Sequence, residues 1–381
     1  MKKRVLIIIS SFRWGGINRA LQNWLNAISP DEYQVDLFVL VHSGNYEGTF
    51  SNCELLPKNK FLGTLLDQKE YQKGLAKILF LALKVLNKLT KGKFQHWLYG
   101  KSGNNLVKGK NYDAVIAWGE GVPTVFVSHI EHSNKIAWIH CDYTQYTNGP
   151  TEKTIYDKFK SIVCVSKYTR KTFLSYYPEM ETKVHAIYNI LDIDEIKRLS
   201  KEPMDIEYDK NVFNIVSVGR VAPVKRFSEI PAIAKKVKDA GCEFCWYIVG
   251  PYCEDKEYHK IVDDTKAFGL SGQVVMLGGK DNPYPYIANA DLLVCTSISE
   301  AAPFVILEAL CLKKPVVSAD FGSAGEFVID CQSGYISNIE SIDKPIIGLI
   351  TDSQSIQSEK DARRSFIYGN SIVLRKINCL L

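Results

Sequence analysis

Apolar and polar residues follow two periods along the chain. Short runs rich in Val, Ile, Leu and aromatic residues predict buried strands, and segments with apolar residues three and four positions apart predict helices. The predicted strands of the first half are RVLIII, VDLFVL, AVIAWG, KIAWIH and SIVCVS, and those of the second half are FNIVSVGR, FCWYIVG, VVMLG, DLLVCT and KPVVSA. Helices are predicted between them, for example over residues 17–28, 227–239, 258–268 and 305–312.

Strands that alternate with helices predict parallel βαβ units, so each half reads as a doubly wound α/β sheet. A chain of 381 residues also exceeds the usual size of one hydrophobic core. We therefore predict two Rossmann-like domains, 1–195 and 196–365, which face each other across a deep cleft. The segment 366–381 is expected to form a final helix that could cross back to the first domain.

The composition, 46% hydrophobic and 23% charged, is that of an ordinary globular protein. The opening MKKRVLIIISSF has an apolar run that is too short for a signal peptide, and no stretch is long enough for a membrane span. The ten cysteines are scattered, and the CxxC of Cys242 and Cys245 has no second pair, so no zinc site is expected. These features predict a cytoplasmic protein.

Positive charge is concentrated in the first half of the chain. Residues 1–195 carry 25 Lys and Arg against 18 Asp and Glu, whereas residues 196–381 carry 22 against 24. Within the lysine-rich part, KGLAKILFLALKVLNKLTK has apolar residues at helical spacing from Leu75 to Leu89, with Lys77, Lys84 and Lys88 among them. This basic amphipathic helix could lie on an anionic membrane surface. A domain helix with a solvated lysine face is an equally open interpretation. No nucleic-acid recognition module is visible.

Two loops that follow predicted strands could contact an anion. Gly15 and Gly16 follow the first strand and precede a helix, where glycines let the backbone approach a phosphate. Arg220, Lys225 and Arg226 crowd the loop after the first strand of the second half. Arg and Lys bind phosphate groups well. A tight turn and a surface charge cluster remain the alternatives.

The stretch SISEAAPFVILEAL places two carboxylates beside an apolar helix start. Pro303 is expected at the first helical position, which leaves the amides of Phe304 and Val305 as free donors. Glu308 would lean toward the same helix end, where its two oxygens can accept hydrogen bonds from the paired hydroxyls of a ribose. Glu300, before the helix, could reach another group of the same ligand.

This pattern, together with the glycine pair and the "GR…K" loop, resembles the retaining glycosyltransferases of family 4, which have the GT-B fold. The resemblance runs from the first strand to about residue 335. It implies donor-binding roles for Gly15, Gly16, Arg220, Lys225, Glu300, Phe304, Val305 and Glu308. It implies catalytic roles for Arg220, Lys225, Glu300 and for His140, which would lie beside the transferred sugar. The chain departs from the family's usual glycines at Ala301, Lys314 and Arg226.

The resemblance implies a metal-independent transferase that moves a sugar, with retention, from a nucleotide-diphosphate donor to a glycan acceptor. The donor is expected to be a UDP-hexose or UDP-N-acetylhexosamine. The acceptor is expected to be a lipid-linked glycan for bacterial capsule, exopolysaccharide or lipopolysaccharide, reached from the inner face of the cell membrane. No cofactor is expected, because Asp192 and Asp194 fit helix capping better than a metal-binding Asp-x-Asp pair. A non-catalytic sugar-nucleotide-binding partner of another transferase and an epimerase of the same fold are the alternatives.

Overall fold

The computed structural model describes residues 2–13, 15–44, 50–59, 62–63, 66, 74–145, 153–252, 255–328, 334–352 and 368–381. The chain forms two compact units. The first comprises Met1–Ile190 and Gly369–Leu381, and the second comprises Leu191–Tyr368.

The first unit contains a seven-stranded parallel sheet in the order β3-β2-β1-β4-β5-β6-β7. Its strands are β1 (Lys3–Ser11), β2 (Tyr33–Val41), β3 (Glu54–Leu55), β4 (Ala114–Trp118), β5 (Lys135–Ile139), β6 (Ser161–Cys164) and β7 (Val184–Ala186). Its helices are α1 (Gly16–Ala27), α2 (Gly74–Leu89), α3 (Lys93–Val107), α4 (Val122–Ser128), α5 (Lys153–Tyr156) and α6 (Lys167–Tyr176).

The second unit contains a six-stranded parallel sheet in the order β10-β9-β8-β11-β12-β13. Its strands are β8 (Phe213–Val218), β9 (Phe244–Val249), β10 (Val274–Gly278), β11 (Leu292–Cys295), β12 (Val316–Ala319) and β13 (Gly334–Ser337). Its helices are α7 (Ile193–Leu199), α8 (Ile230–Asp239), α9 (Asp255–Ala267), α10 (Tyr284–Asn289), α11 (Phe304–Cys311), α12 (Ala324–Phe327) and α13 (Asp343–Thr351).

The central strands of both sheets are apolar on both faces because helices cover each face. Val5 to Ile9 of β1 are all fully buried, as are Ala114 to Ala117 of β4. In the second unit, β11 and β12 are buried throughout. The predicted α/β class, with two Rossmann-like doubly wound sheets, is therefore confirmed.

In each sheet the strand order reverses at one point, between β1 and β4 in the first and between β8 and β11 in the second. Loops that leave the carboxyl ends of two such strands diverge to opposite faces and open a crevice where ligands of these folds bind. The polar residues of interest follow these strands in both units.

The last helix, α14 (Asn370–Asn378), belongs to the first unit although it follows the second in the chain. Val373 and Ile377 are buried. Lys3 Nζ donates to the carbonyl of Asn378 at 2.8 Å, and Asn134 Nδ2 donates to that of Leu380 at 3.0 Å. These bonds fix the returning segment to the amino-terminal ends of β1 and β5.

Helix α2 matches the predicted basic amphipathic segment, although its residues 74–76 have no described side chains and Lys73 lies outside the described residues. None of the helices within the described ranges is long and apolar enough to cross a bilayer.

Candidate functional site

The site in the second unit is built from two loops, one after β8 and one after β11. These strands are neighbours in the sheet, so their carboxyl ends lie side by side. The amide of Ile298 donates to the carbonyl of Val224 at 2.8 Å, and Thr296 Oγ1 donates to the carbonyl of Lys225 at 2.7 Å. The two loops are thus joined through the backbone, which fixes the side chains they carry.

Lys225 and Glu300 form an ion pair at this junction, with Lys225 Nζ donating to Glu300 Oε1. The side chains are 20% and 16% exposed. Ser297 Oγ donates to the same Oε1 at 2.8 Å, and Ser323 Oγ donates to the backbone carbonyl of Glu300 at 2.6 Å. The structure therefore brings together two predicted site residues that are 75 positions apart, and it holds Glu300 from two further sides.

Lys225 keeps its positive charge in this setting. Burial opposes the charged ammonium, but the negative charge of Glu300 and the hydrogen bond to it outweigh burial, so the pKa of Lys225 is raised. Arg220 is exposed and close enough for its charge to oppose that of Lys225. Two cations and one carboxylate thus share the mouth of the crevice, an arrangement that can receive an anionic group such as a diphosphate.

The backbone of the loop after β8 takes conformations that explain the glycine preference noted above. Arg226 has φ 51° and ψ 31°, in the left-handed region that glycine adopts without strain. A side chain on Gly250 would place its Cβ 1.8 Å from the carbonyl oxygen of Gly219, so the two strand ends can approach only with glycine there. In the turn before β12 the left-handed residue is Lys313, with φ 60°, rather than Lys314.

Glu308 lies in the second turn of α11 and is only 4% exposed. The hydroxyl of Tyr284, at the start of α10, donates to its Oε1 at 3.4 Å. Pro303 occupies the N-cap rather than the predicted first helical position, and the helix begins at Phe304. The first intrahelical bond runs from the amide of Leu307 to the carbonyl of Pro303, so the amides of Phe304 and Val305 precede the helical ladder.

In the first unit, Gly15 and Gly16 lie where β1 passes into α1. Gly15 is extended, with φ 166°, and a Cβ built on it would meet no atom within 4 Å. Neither strain nor crowding demands glycine at Gly15, so its effect is to leave open space at the helix start. Asn18 Nδ2 holds the loop by donating to the carbonyls of Ser11 and Arg13, each at 2.8 Å.

His140 follows β5 and has a largely buried ring. Its Nε2 is buried and has no hydrogen-bond partner among the described residues. Burial lowers the pKa of His140 to about 3, so the imidazole is neutral at physiological pH. Its ring lies 5.4 Å from that of Trp118, which stacks on Trp138 at 4.6 Å. A neutral imidazole with an unpartnered nitrogen can form a hydrogen bond with a hydroxyl. It is not suited to act as a general acid, because it carries no acidic proton at physiological pH.

The sequence analysis did not identify Glu120, which follows β4 and contacts the His140 segment. Its Oε2 accepts the amide hydrogen of His140 at 2.9 Å, and its carboxylate also accepts a hydrogen bond from the Cys141 thiol. Burial raises the pKa of Glu120, and the hydrogen bonds partly offset this. Its place directly after a buried strand, in AVIAWGE, was the signal that could have revealed it.

Asp192 caps α7 by accepting a hydrogen bond from the amide of Glu195 at 3.2 Å, which confirms the capping interpretation. Asp194 lies in the first turn of the same helix. Within the described ranges, no group of three or more His, Cys, Asp and Glu side chains could hold a metal ion.

Residues 201–366 match the family model of the glycosyl transferases group 1. A glycosyltransferase of Methanocaldococcus jannaschii is 24% identical over 60% of this chain, which spans 58% of that relative's length. An N-acetylgalactosamine-N,N'-diacetylbacillosaminyl-diphospho-undecaprenol 4-alpha-N-acetylgalactosaminyltransferase of Campylobacter jejuni is 23% identical over 91% of this chain and 88% of its own. The Anabaena protein HepE, in a crystal structure with UDP-glucose, superposes with a TM-score of 0.69 over 99% of both chains at 17% identity.

The fold is GT-B. The family match in the second unit and the names of the relatives support a glycosyltransferase. Lys225, Glu300, Glu308 and Arg220 all lie within the matched residues.

Proposed function

We propose that this chain is a retaining, metal-independent glycosyltransferase of family 4 that moves a hexose or N-acetylhexosamine from a UDP-sugar to a glycan acceptor. The observation that carries the proposal is the Lys225–Glu300 pair, held by Ser297 at the strand-order reversal of the second sheet, with the buried carboxylate of Glu308 on the adjoining helix. An exposed arginine next to a charged lysine suits a diphosphate, and a buried carboxylate at a helix start suits a ribose.

Each side chain has a distinct part in the proposed reaction. Lys225 and Arg220 stabilise the negative charge that develops on the leaving diphosphate, and the amides of Phe304 and Val305 assist them. Glu300 accepts hydrogen bonds from the transferred sugar, and Glu308 accepts them from the ribose. Gly15 and Gly16 leave room for the diphosphate and sugar, and the neutral His140 binds a sugar hydroxyl. The leaving phosphate takes the proton of the acceptor hydroxyl on the same face of the sugar, so the anomeric configuration is kept.

The choice of UDP rests on the UDP-glucose complex of the structural neighbour HepE. The proposed acceptor is a lipid-linked glycan of a bacterial surface polysaccharide, because the Campylobacter relative is named for transfer to a diphospho-undecaprenol substrate.

A thermal-shift screen against UDP, GDP, ADP, dTDP and their sugars, with and without chelator, tests the donor. A ligand at 100 times its Kd stabilises the fold by about 2.7 kcal/mol. UDP is expected to give this shift with or without chelator, and Glu308→Gln is expected to reduce it. A shift that requires metal would exclude the metal-independent mechanism.

Transfer itself is tested by the release of UDP from UDP-sugars in the presence of glycan acceptors and by NMR of the product's anomeric proton. Retention is expected. Donor binding with neither transfer nor slow hydrolysis would instead favour the non-catalytic partner.

A further inference from the structure

Helix α2 exposes most of its apolar side chains to solvent. Ile78 is 65% exposed and Leu89 is 76% exposed. Six of the fourteen exposed large apolar side chains within the described ranges lie on this one helix of 16 residues: Ile78, Leu79, Leu81, Val85, Leu86 and Leu89. Scattered single apolar residues are normal on a protein surface, but a contiguous set marks an interaction surface.

A single row of residues attaches α2 to the rest of the unit. Phe80, Leu83 and Asn87, at helical spacing, are half-buried. Asn87 Nδ2 donates to Gln95 Oε1 at 2.9 Å, and the amide of Gln95 donates to Asn87 Oδ1 at 3.2 Å. These bonds tie α2 to α3 and fix which faces of α2 point outward.

The outward side has an apolar row with lysines along one flank. Ile78, Val85 and Leu89 are seven and four residues apart, so they lie on one line of the helix surface. Lys77, Lys84 and Lys88 have the same spacing one position earlier, so they lie about 100° around the helix from that line. All three lysines are exposed.

The region around α2 is basic throughout. Between Glu70 and Asp113 the sequence has nine lysines and no acidic residue. On the neighbouring α3, Trp97 is 57% exposed, and Lys101 Nζ lies 5.0 Å from the centre of its ring. Exposed tryptophan beside lysine suits the boundary between lipid headgroups and acyl chains.

We propose that α2 docks the protein on an anionic lipid surface, lying in the plane of the membrane. Its row of Ile78, Val85 and Leu89 enters the headgroup boundary, and Lys77, Lys84 and Lys88 contact lipid phosphates. The charge of this region favours an anionic membrane as the binding partner of α2. A row of lysines in a segment without acidic residues is complementary to a surface of uniform negative charge. The inference deepens the proposed function, since such docking would place the enzyme beside a lipid-linked acceptor.

Co-sedimentation of the full chain with vesicles tests the inference without any nucleotide. Wild type is compared on neutral phosphatidylcholine vesicles and on vesicles containing phosphatidylglycerol. The charge variant is Lys77→Glu, Lys84→Glu, Lys88→Glu. Its matched control is Lys171→Glu, Lys256→Glu, Lys266→Glu, which changes the net charge equally at three exposed lysines elsewhere. The apolar variant is Ile78→Ser, Val85→Ser, Leu89→Ser.

Wild type is expected to partition onto the anionic vesicles and not onto the neutral ones. The charge variant should lose at least about 100-fold in partition, since each lysine near such a surface contributes to binding. The apolar variant should also lose binding, and the control should keep it.

Three results would overturn the inference. The first is that wild type does not bind anionic vesicles, and the second is that the control variant loses as much binding as the charge variant. The third is that wild type does not bind vesicles but forms a concentration-dependent dimer, which the apolar substitutions dissociate. The UDP thermal shift of the same variants separates this failure from failure of the proposed function, because none of the proposed donor-binding residues lies on α2.

Discussion

Replacing Glu300 with Gln removes the negative charge beside Lys225 while it keeps an oxygen that Ser297 can bond. Breaking a buried ion pair by neutralising one partner costs about 3–5 kcal/mol. The side chains of Lys225 and Glu300 retain 20% and 16% exposure, so we expect the lower value, about 3 kcal/mol. For a unit of this size, that lowers the Tm by about 6–12 °C.

Binding of UDP should reverse part of this loss. A diphosphate can replace the missing carboxylate as the partner of Lys225, so the stabilisation by UDP should be larger in Glu300→Gln than in wild type. Sugar transfer should nevertheless fall, because the variant lacks the carboxylate that holds the sugar. Differential scanning calorimetry with and without saturating UDP measures the first effect, and UDP release measures the second.

The matched control is Asp239→Asn, which breaks the exposed i,i+4 ion pair with Lys235. Exposed pairs contribute at most about 1 kcal/mol, so its Tm should shift by no more than about 4 °C. The electrostatic account of the site is wrong if Glu300→Gln has the same Tm as Asp239→Asn. It is also wrong if UDP raises the Tm of Glu300→Gln by no more than it raises that of wild type.

Three further predictions concern single residues. Glu308→Gln should weaken UDP binding about 10- to 100-fold by calorimetry, since hydrogen bonds to a charged group are worth about 1.5–3 kcal/mol. The ligand-free variant should melt no lower than wild type, because burying a carboxylate is costly. For His140, the folded-state pKa of about 3 lies below the unfolded value near 6.5. The unfolded state therefore binds more protons as pH falls below 6.5, and stability should drop by about 2 kcal/mol from pH 7 to pH 5. Urea titrations of His140→Asn at both pH values should show a correspondingly smaller drop. Glu120→Ala should lower kcat at least about 10-fold with less than twofold change in UDP affinity; an equal loss of both would contradict a role in holding His140.

The strands that carry the site could be predicted because they are long apolar runs in a parallel sheet. All ten predicted strands are present, whereas β3, β7 and β13 were not predicted. β3 has two residues and β7 has three, too few to show a period. Such strands form because a neighbouring edge offers backbone partners.

Helix α3 is not among the helices named from the sequence, and its two glycines, Gly100 and Gly103, weaken the helical pattern there. Glycine within a helix disfavours that assignment from sequence. In the structure a Cβ on Gly103 would lie 2.5 Å from the Ile130 side chain, so the close packing here requires glycine. The same glycine weakens the helical pattern in the sequence. Tertiary contact of this kind leaves no local signal.

The same limit applies within the site. The nearness of Lys225 and Glu300 follows from the parallel order of β8 and β11, which periodicity indicates. Their direct pairing, and the bonds from Ser297 and Tyr284, depend on side-chain positions that no local pattern records. The left-handed backbone of Arg226 has no signal in the residue itself, and only the glycine that the resembled family usually has at this position pointed to it.

The return of Gly369–Leu381 to the first unit has a consequence for how the protein is made. The second unit is continuous in the chain, so a ribosome can release all of it before α14 emerges. The first unit stays incomplete until then, because the carbonyls of Asn378 and Leu380, which accept hydrogen bonds from Lys3 and Asn134, are still unsynthesised. The half that begins first is therefore finished last, and premature termination near residue 368 would leave the second unit whole while removing hydrogen-bond acceptors of Lys3 and Asn134 in the first.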